Sequence, residues 1–149
     1  MRFFEDFTVG EVYELGSRTV TREEILDFAR QYDPQPFHVD EERAKESIYG
    51  GLIASGWHTA SMTMRLVADG ILLDAAGMGS PGLDELRWLK PVRPDDTLTA
   101  RMEIASVRAS ESKPDRGIVN SVVQVANQKG ETVLTWKAIG MYRRRPPQA

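Results

Sequence analysis

An aspartate and a histidine stand five positions apart in the stretch YDPQPFHVD, residues 32–40, as Asp33 and His38. A histidine titrates near neutrality, and a carboxylate beside it can hold its tautomer or act as a second base. Pro34 and Pro36 alternate with Gln35 and Phe37 between them. Each proline fixes its φ near −65°, so the connecting backbone is stiff. A proton-transfer pair must be held to about 0.5 Å, which a stiff connection favours. Spacing alone leaves a plainer reading open, in which Asp33 ends a helix and His38 lies at the surface.

A second group follows within twenty-five residues. Gly51, Ser55 and Gly56 lead into a long apolar segment. The first N–H groups of a helix are unpaired and carry partial positive charge, and glycine lets another backbone or a ligand approach closely. Negative charge developing on a carbonyl oxygen would be stabilised there, and losing one such donor raises a barrier by ~3 kcal/mol. The alternative is that these glycines only form a turn and pack the helix start.

The elements that must position both groups can be read from pattern. Residues 11–20 have strand character. Thr21 with Glu24 forms a capping box, and Ile25, Phe28 and Ala29 recur at helical spacing, predicting a helix over 22–32. Pro34 ends it, because the residue before a proline avoids the helical region. Residues 33–39 are expected as a stiff extended loop, and Asp40 as the cap of a short helix over EERAKES. The glycine-rich YGGLIASG breaks that helix. From Trp57, the residues Ala60, Met64, Val67, Ala68, Ile71 and Leu72 mark a long helix with a broad apolar face, reaching Leu73 or Asp74. After the turn GMGSPG, β-rich runs occupy 83–89, 96–110, 117–128 and 131–143, the last two joined as a hairpin through QKGE. The expected fold class is α+β, with a curved antiparallel sheet wrapped around the long helix and burying it almost all round.

The totals narrow the function. A chain of 149 residues is expected to form one domain, 1–149, and to bury about two-thirds of its unfolded surface. Without cysteine there is no disulfide, thiolate nucleophile or zinc–thiolate site. A net charge of −3 without a long basic block argues against a nucleic-acid partner, and Arg143–Arg144–Arg145 reads as a solvated end. MRFFEDFTVG is not a secretory signal, and no stretch approaches ~20 apolar residues, so a cytoplasmic protein without a membrane partner is expected.

YDPQPFHVDEERAKESIYGGLIASGWHTASM resembles the hydratase motif of the MaoC-like, R-specific enoyl-CoA hydratase family, and SPGLDELRWLKPVRPDDTL resembles the strand that follows its helix. The likeness runs in order along nearly the whole chain. The family's aspartate-x-asparagine-proline-x-histidine core stands here as DPQPFH, with Gln35 in place of the asparagine. The resemblance implies a hot-dog fold and a hydratase acting on an enoyl thioester, or a dehydratase acting on a 3-hydroxyacyl thioester. The substrate would be CoA-linked or carrier-linked, as in fatty acid metabolism. Asp33 and His38 would hold a water and share the acid–base work, and the Gly56 N–H would bind the thioester oxygen as it becomes enolate-like. No metal or redox cofactor is implied, since the CoA arm belongs to the substrate. A homodimer or higher homo-oligomer that pairs an exposed sheet edge is implied as well. Two alternatives are a hot-dog thioesterase using the same carboxylate and a non-catalytic acyl-CoA-binding module. Outside this set, His58 reads as a packing residue and Asp40 as a cap. Arg87, Lys90 and Arg93 around Trp88 could meet CoA phosphates or form a solvated edge. Met62, Met64 and Met78 could line an acyl pocket or fill the core, and Trp88 and Trp136 suit the core or a dimer contact.

Overall fold

The local signals at the first helix act as their chemistry requires. In the computed structural model, which describes residues 1–148, the Thr21 hydroxyl accepts from the Glu24 N–H at 3.2 Å, and the Glu24 carboxylate accepts from the Thr21 N–H at 3.4 Å. This capping box starts α1 (Arg22–Tyr32) directly after β1 (Val12–Thr19). The helix stops at Asp33, whose φ of −155° and ψ of 69° lie outside the helical region, as a residue before proline requires.

The next segment differs from the expected extended loop. Gln35 is extended, but Pro36 opens a single helical turn, α2 (Pro36–Val39). Proline suits the first helical position because its φ is already set and no N–H is needed there. Asp40 then caps α3 (Glu41–Lys45), its Oδ1 accepting from the Glu42 and Arg43 N–H groups, both at 3.1 Å. α3 is shorter than EERAKES.

α4 (Gly56–Gly70) is the long helix, spanning roughly 22 Å at the usual rise. It ends at Gly70, where an added Cβ would lie 2.7 Å from Leu15 Cδ2, so β1 and the helix approach closely. Leu72–Asp74 form a separate 3-10 turn and do not extend the helix. Four strands follow: β2 (Gly82–Trp88), β3 (Thr97–Ala109), β4 (Arg116–Ala126) and β5 (Thr132–Arg143). They join β1 in one antiparallel sheet of order β1-β3-β4-β5-β2, leaving β1 and β2 as edges. Gly130, at φ +75°, makes the tight β4–β5 turn.

Alternation decides which sheet face meets α4. Leu98, Ala100, Met102 and Ile104 on β3, and Val119, Val123 and Val125 on β4, point inward and are buried. They meet Met62, Leu66 and Val67 of α4 in one core. The helix is not buried all round within the chain. Its inward stripe is His58, Thr59, Met62, Thr63, Leu66 and Val67, while Trp57, Ser61, Met64, Arg65 and Asp69 are exposed. A single five-stranded sheet covers one side of the cylinder and leaves that flank open. The basic tail is not merely solvated: Arg144 and Arg145 pair with Glu5 and Asp6. Among the described residues no helix is long and apolar enough to cross a membrane.

Candidate active site

The break after α1 and the turn α2 bring Asp33 and His38 together. His38 Nε2 lies 3.3 Å from Asp33 Oδ2. His38 is 4% exposed, and its Nδ1 is 2.8 Å from the Ile53 carbonyl oxygen. A carbonyl can only accept, so Nδ1 carries a proton and Nε2 is the end available to the carboxylate and the solvent. Ile53 is itself held, because its N–H donates to the Phe37 carbonyl at 3.1 Å, and the next N–H, of Ala54, donates to Val92 O at 2.8 Å.

Both oxygens of Asp33 are engaged. Oδ1 accepts from the Gln35 amide at 2.7 Å, and Oδ2 accepts from the Ser55 hydroxyl at 2.7 Å. Partial burial opposes the charged carboxylate, but the Ser55 hydroxyl, the Gln35 amide and the charge of His38 outweigh it and hold Asp33 below the usual carboxylate range. Asp33 is therefore an ionised acceptor at neutral pH.

Asp33, His38 and Gly56 line one cleft of about 470 Å³, together with Phe37, Thr59 and Trp88. Ser55 is the N-cap of α4, so Gly56 is its first residue. No hydrogen bond among the described residues uses the Gly56 N–H. An added Cβ at Gly56 would lie 2.6 Å from Trp88 Cε2, and the Trp88 indole donates to the Gly56 carbonyl at 2.8 Å. Only glycine lets the indole lie flat against the helix start. Trp57 and Trp88, edge-to-face at 5.2 Å, wall the cleft mouth. The arrangement places an ionised acceptor, an imidazole nitrogen and a helix-start glycine around one space.

The remaining candidates separate. His58 turns away from the cleft, stacks on Phe28 at 4.7 Å and is held below its ordinary pKa by burial. Lys90 lines the cleft but pairs with Glu131 at 2.6 Å, and Arg93 donates to the Tyr49 carbonyl at 2.7 Å. Arg87 is exposed and is not among the cleft-lining residues. Met62 fills the core and Trp136 is buried. Met64 lines a second, apolar cavity of about 400 Å³ between α4 and the sheet, which shares no lining residue with the first; Met78 lines neither. Among the described residues no three metal-ligating side chains cluster. Two contributors had no role assigned from sequence, the Ile53 carbonyl and the Ser55 hydroxyl; the Trp88 indole, expected in the core or at a dimer contact, is exposed and lines the cleft. Ser55 directly before the helix was a visible cap signal, but its link to Asp33, twenty-two residues away, had none.

A curved antiparallel sheet around a long helix, with Asp33 and His38 beside the helix start, is a hot-dog arrangement. Residues 6–127 match the family model described as MaoC like domain, and the chain belongs to that family. A MaoC-like dehydratase from Rhodospirillum rubrum is 42% identical, with a TM-score of 0.92 over 99% of this chain and 100% of that one. An uncharacterised Bacillus subtilis protein, YdeM, is 32% identical over 84% of this chain and 87% of its own length. Mesaconyl-CoA hydratase of Cereibacter sphaeroides is 30% identical over 99% of this chain, which spans 43% of that enzyme.

Proposed function

We propose that the chain adds water to an enoyl thioester, and in reverse dehydrates a 3-hydroxyacyl thioester, with Asp33 and His38 as the proton-handling pair. The observation that carries this reading is the 3.3 Å approach of His38 Nε2 to Asp33 Oδ2 in a cleft that Gly56 also lines. Water held by the pair forms a bond from its oxygen to Cβ and gives up a proton to the pair. The alkene electrons move toward the thioester, whose oxygen becomes enolate-like and accepts from the Gly56 N–H. The pair returns a proton to Cα on the same face, the enolate collapses to the thioester, and one water has been added. The two groups act as a coupled unit. The chemistry as written calls on no metal or redox cofactor. The likeness to mesaconyl-CoA hydratase supports a CoA thioester as the substrate class. The exposed edge β2, with Leu83 and Trp88 at its surface, Leu89 just beyond it, and Trp57 and Met64 on the open flank of α4, supports a second copy of the chain as partner.

The test is loss of the conjugated enoyl-thioester ultraviolet band over a panel of CoA esters of different length, branching and carboxylation. Asp33→Asn and His38→Ala are expected to abolish turnover while the fold is kept. Unchanged rates in both would reject the mechanism. Release of free thiol without hydration would instead make the chain a thioesterase, and thermal stabilisation by acyl-CoA without turnover would make it a binding module.

A further inference from the structure

We propose that Ser55 is a positioning residue that locks the Asp33 carboxylate and the Gly56 N–H into one rigid unit; the inference rests on the reading of those two groups given above. Ser55 is 0% exposed. Its hydroxyl has one proton to give and lone pairs to receive. The Trp57 N–H, at 3.3 Å, can only donate, and the ionised Asp33 Oδ2, at 2.7 Å, can only accept. The hydroxyl proton is therefore directed at Asp33, in a short charge-assisted bond.

The other half of the residue fixes the donor. The Ser55 carbonyl accepts from the His58 N–H at 2.9 Å and the Thr59 N–H at 3.0 Å, so it points along α4. The peptide joining Ser55 to Gly56 is planar and trans, because no peptide bond among the described residues is cis. The Gly56 N–H must then point the opposite way, out of the helix start. One buried residue thus orients the base through its side chain and the oxygen-binding N–H through its backbone. The Asp33 oxygen that Ser55 holds is also the one beside His38.

Glycine caps a helix almost as well as serine but has no hydroxyl. Ser55→Gly therefore separates a capping role from a positioning role, and Ser55→Thr keeps the hydroxyl. For Ser55→Gly we expect kcat to fall ten- to a hundredfold with KM little changed, and the acid limb of the kcat/KM profile to move to higher pH, because Asp33 loses a donor that favours its charged form. Ser55→Thr is expected to restore the position of that limb. A second measurement needs no substrate. In a double-mutant cycle of Ser55→Gly and Asp33→Asn, read by denaturant unfolding, the two changes should couple at least fivefold in the unfolding equilibrium constant at neutral pH. That coupling should vanish once Asp33 is protonated. Coupling in a chain that hydrates no enoyl thioester would support the Ser55–Asp33 lock and sink the hydratase reading. Absence of coupling, or a Ser55→Gly profile superimposable on that of the unaltered chain, would overturn this proposal and leave the hydratase reading standing.

Discussion

Gln35→Asn is the most direct probe of how the carboxylate is held. In the structure Gln35 Nε2 donates to Asp33 Oδ1 at 2.7 Å. Asparagine is one methylene shorter, which draws the amide back by about 1.5 Å. The backbone cannot follow, because Pro34 and Pro36 on either side fix their own φ angles. The donor–acceptor distance would open to roughly 4 Å, beyond hydrogen-bonding range. A hydrogen bond to a charged group contributes about 1.5–3 kcal/mol when buried. Gln35 is exposed, so water can replace part of the interaction, and a loss of about 1 kcal/mol is the reasonable figure. Losing this donor removes one of the interactions that favour the charged form, so the Asp33 carboxyl should rise toward the ordinary carboxylate range.

The sign of the stability effect follows. Asp33 is depressed in the folded chain, so its contribution is fully present above the unfolded carboxylate pKa, near 3.9, and is lost as pH falls through the lower folded value. Urea unfolding of the Gln35→Asn variant should show a deficit of about 1 kcal/mol at pH 7 that closes in the acid range where Asp33 protonates. The acid limb of kcat/KM should move to higher pH, as a carboxylate that has lost a donor requires. Unfolding curves that coincide at pH 7, or a deficit that persists unchanged at the lowest pH at which the chain is folded, would refute the clamp.

Two further outcomes are expected. His58 is buried, has no hydrogen-bond partner at Nδ1 among the described residues, and is held below its ordinary pKa of 6.5 by burial, with Glu24 raising it and Arg18 lowering it. The unfolded chain therefore binds this proton more readily, and thermal melts should show stability falling as pH drops below about 6.5; in His58→Leu that part of the slope should be absent, and an unchanged slope counts against the assignment. For the second copy, light scattering should give twice the chain's 16.7 kDa, and a Leu83→Glu/Trp88→Glu variant should give the single-chain mass; a dimer that survives both charges does not use the β2 edge.

What the sequence disclosed about this fold and site divides along a physical line. Features settled within a few residues were legible: the Thr21–Glu24 box, the β-rich run over 96–110, and the Asp33–His38 pair. Contacts made across the chain were not. Ser55 reaches Asp33 over twenty-two positions and Trp88 reaches Gly56 over thirty-two, and neither distance leaves a periodic trace. Pro36 was ambiguous for a local reason, since the same fixed φ serves an extended loop and the first residue of a helix. The face of α4 was read only in part: Val67 and Ile71 are buried as expected, but the threonines shift the stripe away from Met64. Ala60, Met64 and Ala68 look like the apolar stripe, yet the buried stripe runs through Thr59, Met62, Thr63 and Leu66. The Thr63 hydroxyl donates to the Thr59 carbonyl at 2.8 Å and the Thr59 hydroxyl to the Ser55 carbonyl at 3.4 Å, so neither needs solvent or a partner from the sheet. A threonine satisfied on its own helix presents the core with little more than its methyl group. By the same reasoning, the apolar side chains Trp57 and Met64, left on the open flank, mark a surface that this chain alone does not cover.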